Sequence, residues 1–200
     1  MINPVKLGRI GITAIAFTTA LMSARPVFSR INQSPDTYEN TVTPKGITNT
    51  SELKNAPSPY LLIKGKKQTA RIVVDLSKNI LYKYNEFGVA ENAYKVASGK
   101  KSTPTHKGVR IVSHIETYPY KTAYGTKRKR NPRAYGPKIL ILKKLNPKTG
   151  EETPTGEFIH GNNNSNSIGK YVSNGCIRMD NEVIKEFAKE FKPGDIVIIQ

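Results

Sequence analysis

Three observations predict a mostly β fold, a β-rich α+β domain with one helix near its C-terminus. From residue 69 onward, short apolar runs alternate with turn residues. Helical periodicity is clear only after Asp180. Thirteen prolines and 15 glycines in 200 residues imply frequent chain reversals. The first strand is read at residues 69–76, where Ala70, Ile72, Val74 and Leu76 alternate with Arg71, Val73 and Asp75. Ser77-Lys78-Asn79 turns the chain into Ile80–Tyr84, a partner strand. Residues 85–88 turn again, and a third strand is read over 89–98, ending at Gly99. Residues 109–115 and 138–142 are further strands, with His114 decorating the end of the first of these. Pro193-Gly194-Asp195 turns into a buried closing strand, Ile196–Ile199. The helix is capped by Asp180 or Asn181, and Val183, Ile184, Phe187, Ala188 and Phe191 recur on one face. Lys192 lies at its C-terminal end, where the helix dipole favours a cation. No internal repeat is present, and these elements define a domain over residues 67–200.

Two segments precede it. Residues 1–29 read as a signal peptide or signal-anchor. Lys6 and Arg9 lead into an uncharged stretch at 10–22, and no acid occurs before Asp36. That stretch is too short for an ordinary spanning helix, and a cut near residue 29 is expected. Residues 30–66 are rich in Asn, Thr, Ser and Pro without sustained periodicity, so they read as a polar linker or arm. Leu53 and Tyr60–Ile63 are the residues able to dock part of it.

Composition narrows the function. The formal net charge is +17, from 32 Lys and Arg against 15 Asp and Glu. Only Lys6, Arg9 and Arg25 fall within 1–29, so the basicity belongs to the rest of the chain and predicts an acidic partner or a solvated basic surface. One Cys excludes a disulfide scaffold and a Cys-rich zinc site, and a total of three His argues against a His-rich metal cage. Residues 118–138 form a basic, Tyr-rich flap with seven Lys or Arg, four Tyr and no acid. This flap fits a nucleic-acid binder, a cover over a cleft for an anionic substrate, or a solvated loop.

The chemistry concentrates between Phe158 and Met179. His160 precedes Gly161, and Cys176 sits within Ser173-Asn174-Gly175-Cys176-Ile177-Arg178. The intervening residues are mostly small or polar and long enough to loop back. A thiol needs to lose its proton to act as a nucleophile, and a neighbouring imidazole can accept it and form an ion pair. Such a Cys176 is expected to react with alkylating agents well below the free-thiol pKa of about 8.5. On a strand, Arg178 would share a face with Cys176 and favour the thiolate or grip a carboxylate. Backbone N–H groups around Gly175 and Cys176 are candidates for an oxyanion site. His106 and His114 receive no catalytic role.

The pair His160-Gly161 … Ser173-x-Gly175-Cys176-Ile177-Arg178-Met179 resembles the signature of L,D-transpeptidase catalytic domains, the YkuD domain. The resemblance spans residues 69–200. It includes Ser98-Gly99, Thr103-Pro104, Tyr135-Gly136-Pro137 and the closing Pro-Gly-Asp strand. His106-Lys107 stands where members often continue a Thr-Pro-Thr-Gly string. A second such string, Thr153–Gly156, is read as a turn. The resemblance implies a YkuD-like β-sandwich or barrel with the C-terminal helix packed near Cys176. It implies that Cys176 attacks a peptidoglycan stem, that His160 moves the proton, that the Gly161 carbonyl orients the ring and that Arg178 assists. Ser173, Asn174 and Gly175 are expected to contact substrate. It implies release of D-alanine, a 3→3 cross-link to a diamino-acid side chain, and no metal or organic cofactor. With export, it implies a monomer in the periplasm or cell wall. The alternatives are an L,D-carboxypeptidase and a non-catalytic basic protein that binds cell wall or polyanion. A nucleic-acid binder is disfavoured by the leader and the lack of helix-turn-helix, RRM or zinc patterns.

Overall fold

The structure, a computed structural model, describes residues 50–120 and 132–200. The expected leader, most of the polar arm and the centre of the basic flap lie outside the described residues. The chain divides into Met1–Asn40 and Thr41–Gln200, and all described residues belong to the second unit.

A short helix α1 (Thr50–Leu53) leads to a hairpin, β1 (Tyr60–Ile63) and β2 (Lys66–Thr69). Lys64 and Gly65 both have positive φ, as a tight two-residue hairpin turn requires. Next come β3 (Ile72–Asp75), β4 (Ile80–Tyr84), β5 (Ala90–Lys95), β6 (Ser98–Gly99) and β7 (Gly108–Thr117). After α2 (Pro132–Tyr135) follow β8 (Lys138–Leu145), β9 (Glu152–His160), β10 (Tyr171–Ser173) and β11 (Ile177–Arg178). Helix α3 (Asn181–Phe187) and β12 (Ile196–Ile199) close the chain. Eight strands form one curled sheet in the order β11-β9-β8-β7-β12-β3-β4-β5. It is antiparallel except at β11–β9 and β12–β3. The predicted mostly β architecture with one C-terminal helix is what the chain adopts.

Alternation sorts the sheet's side chains into two cores. Ile72, Val74 and Leu81 join Leu140, Leu142, Ile159 and Ile177 against Val183, Ile184 and Phe187 of α3. Val73, Tyr82 and Tyr84 face the other way, onto Leu53, Ala56 and Leu61 of the preceding arm. Full burial of a side chain such as Phe187 contributes roughly 2–3 kcal/mol. Phe187 also meets Tyr94 edge-on at 5.4 Å between ring centres. Asp180 caps α3 by accepting a hydrogen bond from the Glu182 N–H at 2.9 Å.

Four readings of the sequence change. The stretch 89–98 is two strands. β5 lies in the main sheet, where the Val96 N–H bond to the Asn79 carbonyl is the last rung, whereas Ala97 turns to bond Arg178 and β6 pairs in parallel with β10. Residues 60–69, which lack a long apolar period, form a hairpin whose Leu61 seals the second core. His114 lies within β7, at a register shift, and not at a strand end. Thr153–Gly156 is no simple turn: it belongs to β9, where the register against β8 also shifts.

Candidate active site

The site is set by the parallel pairing of β9 with β11, in which Ile177 lies opposite Ile159 and Arg178 opposite His160. Ile159 and Ile177 enter the core beside α3. By alternation His160 and Arg178 therefore project from the other face, and Cys176, two residues before Arg178, shares it. The loop from Gly161 to Gly175 carries the chain back so that β11 runs beside β9 in the same direction. The Cys176 Sγ lies 3.6 Å from the Gly156 carbonyl oxygen, at the irregular part of β9.

His160 is 3 % exposed. Its Nδ1 lies 2.5 Å from the Gly161 carbonyl, which can only accept, so Nδ1 carries the proton and Nε2 keeps its lone pair. Its ring packs against Tyr135 with centres 4.8 Å apart. Burial pushes its pKa down to about 4. The Arg178 charge adds to this, while the Gly161 and Tyr135 carbonyls act in the opposite direction. The imidazole is therefore neutral at pH 7. As a neutral ring it can accept a proton, at a cost of about 3 kcal/mol more than charging it in water.

The backbone around His160 is tightly held. A Cβ on Gly161 would lie 2.3 Å from Asn181 Oδ1 and 3.0 Å from the Gly136 Cα, so only glycine permits this approach. Asn181 Oδ1 accepts the Asn162 N–H at 2.9 Å, and Asn162 Nδ2 donates to the Met179 carbonyl at 2.7 Å. These bonds tie the start of α3 to the loop carrying the Gly161 carbonyl. The sequence presents Asn181 only as a candidate cap of the helix and Tyr135 only within Tyr135-Gly136-Pro137, and it assigns Asn162 no role. The Asn162-Asn163-Asn164 run is the one hint, since Asn favours loop hydrogen bonds.

The nucleophile turn is held from inside. Ser173 is 0 % exposed; its Oγ accepts the Gly175 N–H at 3.1 Å and donates to the Cys176 carbonyl at 2.6 Å. Ser173, expected to touch substrate, is thus a brace beneath the turn, and the Gly175 N–H is committed to it rather than directed at an oxyanion. Thr105 Oγ1 donates to the Gly175 carbonyl at 2.8 Å and accepts the Gly99 N–H at 2.9 Å. Gly175 has φ +109, a conformation that side-chain-bearing residues rarely adopt. Asn174 and Gly175 line a cleft of about 800 Å³ next to Gly156, with Pro104, His106 and Lys107 on its rim. The Arg178 Nε is buried with no hydrogen-bond partner, while its backbone N–H and carbonyl both bond Ala97. Among the described residues no group of three or more His, Cys, Asp or Glu is placed to hold a metal ion.

Only the two ends of the basic, Tyr-rich segment 118–138 are described. Tyr118 and Tyr120 meet edge-on at 5.7 Å, and the Tyr120 hydroxyl donates to the Gly136 carbonyl. Residues 121–131, which include most of its cations, lie outside the described residues.

The family model for the L,D-transpeptidase catalytic domain, YkuD, matches residues 69–199. Among curated proteins, YqjB of Bacillus subtilis, whose name assigns it to the L,D-transpeptidases, is 29 % identical over 142 residues, covering 70 % of each chain. YkuD of Bacillus licheniformis, similarly named, is 32 % identical over 130 residues, covering 64 % of each. Among solved structures, the catalytic domain of an E. faecium L,D-transpeptidase is 24 % identical with a TM-score of 0.45, covering 66 % of this chain and 98 % of that one. An L,D-transpeptidase from Mycobacterium tuberculosis is 18 % identical with a TM-score of 0.46, covering 66 % of this chain and 58 % of that one.

Proposed function

The chain belongs to the L,D-transpeptidase catalytic-domain family, and on that premise we propose that it acts on peptidoglycan stem peptides as a cysteine acyltransferase. The observation that carries this reading is the β9–β11 register, which presents Cys176, Arg178 and a neutral, oriented His160 on one face beside an open cleft.

The reaction begins as the Cys176 sulfur attacks the carbonyl between a diamino acid and the terminal D-alanine of a tetrapeptide stem. As the C–S bond forms, the S–H proton passes to His160 Nε2. Holding this base neutral until the moment of attack suits general-base catalysis. The imidazolium so formed is high in energy in its buried pocket, which favours prompt delivery of the proton to the departing D-alanine nitrogen as the C–N bond breaks. Arg178 places a fixed positive charge beside the reacting centre, and its buried Nε–H is a donor suited to an oxygen that gains charge. A thioester remains. The side-chain amine of a second diamino acid then attacks it, loses its proton to His160, and displaces the Cys176 thiolate, which recovers that proton. The product is a 3→3 cross-link. Delivery to the periplasm or cell wall through residues 1–29 is part of this reading, supported by Lys6 and Arg9 ahead of the uncharged stretch at 10–22.

The test uses the full chain and its Cys176→Ala variant with purified disaccharide-tetrapeptide, with products read by mass spectrometry. D-alanine release together with a Cys176-dependent dimer is expected. Release without dimer would replace transfer by carboxypeptidase activity. No Cys176-dependent product from folded protein would overturn the enzymatic reading in favour of a basic wall-binding protein.

A further inference from the structure

The cleft beside Cys176 carries more charge than catalysis requires. Arg110 in its wall is 3 % exposed and fully engaged: Nε donates to Glu157 Oε2 at 2.7 Å, Nη1 to the Val109 carbonyl and Nη2 to the His106 carbonyl. Glu157 Oε1 in turn accepts the His106 N–H at 3.2 Å and lies 3.3 Å from His106 Nδ1. Glu157 is the one acid lining the cleft, and Arg110 consumes its charge. Two exposed lining cations remain, Lys107 and Lys144, neither in an ion pair with a carboxylate of the described residues.

Their placement is built rather than incidental. The Arg110–Glu157 bracket clamps the His106 backbone from both sides and so holds the next residue, Lys107, at the rim. Lys144 on β8 pairs across the ladder with Arg110 of β7 and Thr153 of β9, which places it on the cleft side of the sheet. The same wall continues through Gly156, the carbonyl contacted by the Cys176 Sγ. The cleft therefore adjoins the reacting thiol through Gly156 and Gly175. Two ammonium groups on flexible stems suit a carboxylate and gain little from a neutral carboxamide of the same shape.

We propose that Lys107 and Lys144 are specificity-determining residues that select an acyl donor bearing a free carboxylate near the scissile bond, against the same stem with that group amidated. The inference rests on the stem-peptide reading above. The carboxylate belongs either to the stem's interior or to its terminal D-alanine, and the experiment distinguishes these two sources.

The full-chain Cys176→Ala protein is titrated calorimetrically with three synthetic tetrapeptide donors: all carboxylates free, interior carboxylates amidated, and the C-terminus amidated. The acid form should bind about tenfold more tightly than one of the amidated forms, and that form identifies the source. Lys107→Gln and Lys144→Gln, each added to Cys176→Ala, should weaken the acid form by about fivefold and leave the amidated form unchanged. Lys78→Gln, far along the chain in the β3–β4 turn, should change neither. Equal affinity for all three donors, or no binding of any, overturns the inference, as does a preference untouched by both cleft substitutions. Turnover by the unmodified protein is measured in parallel. A carboxylate preference in binding without turnover leaves the selectivity standing and rejects the catalytic reading. Turnover without preference does the reverse.

Discussion

Lowering the pH from 7 to 5 should destabilise this protein through His160 specifically. The unfolded chain protonates this imidazole near 6.5, whereas burial holds the folded value near 4. Between those values the unfolded state binds more protons, so stability is present above pH 6.5 and drains away as pH falls towards 4. Integrating that difference gives a loss of about 2 kcal/mol between pH 7 and pH 5, rising to about 3 kcal/mol by pH 4. Other groups titrate over the same range, so the assay compares two proteins. Urea unfolding is measured from pH 7 to pH 4.5 for the unmodified chain and for His160→Gln, whose amide can still donate to the Gly161 carbonyl but cannot charge. The stability gap between them should shift by about 2 kcal/mol between pH 7 and pH 5, in favour of the Gln protein as pH falls. A gap that stays constant would refute the lowered pKa of this buried imidazole.

Three further outcomes follow from the packing. Gly161→Ala forces a methyl to within 2.3 Å of Asn181 Oδ1, so urea unfolding should show a loss of about 1–3 kcal/mol, with D-alanine release falling more than stability alone explains. Gly175→Ala meets nothing nearer than the Pro104 carbonyl at 3.6 Å; the loss of about 1–3 kcal/mol expected there is purely conformational and should appear equally in Gly175→Ser. Ser173→Ala leaves the buried Gly175 N–H and Cys176 carbonyl without their shared partner, which should lower stability by about 1–3 kcal/mol and slow alkylation of Cys176 as its turn loosens.

What could be read from the sequence was whatever a local pattern encodes. Ile80–Tyr84 has a turn on either side and matches its strand to the residue. The capped, one-faced run after Asp180 is the helix, though its α part ends at Phe187 and a 3-10 turn, Ala188–Glu190, follows before Lys192, and a lone Cys within a glycine-rich string drew attention to the nucleophile. β9, the strand that carries His160, was hidden. Its sequence, Glu-Thr-Pro-Thr-Gly-Glu-Phe-Ile-His, has no apolar alternation until its end, and it is a strand because β8 and β11 supply hydrogen-bond partners on both sides. The same gap affected the site. Cys176 and His160 declare their chemistry by residue type, whereas Ser173, Thr105, Asn162 and Asn181 act through contacts between residues far apart in the chain, which no local pattern reports. Ser173 also shows how a motif residue can be mistaken for a ligand contact when its work is to hold a turn. The electrostatic state of His160 was equally out of reach, because it depends on burial that is a property of the whole fold.

The bridge between Ala97 and Arg178 has a consequence for substrate stereochemistry. β11 is the outermost strand of the main sheet, and a bare edge is where a bound peptide ordinarily adds itself as one more strand. Here the Arg178 main chain is already bonded in both directions to Ala97, at 2.8 and 2.9 Å. A ligand arriving next to the sulfur finds no ladder to join at that position. Recognition by ladder would demand a regular, extended run of L-residues. A surface read through side chains makes no such demand.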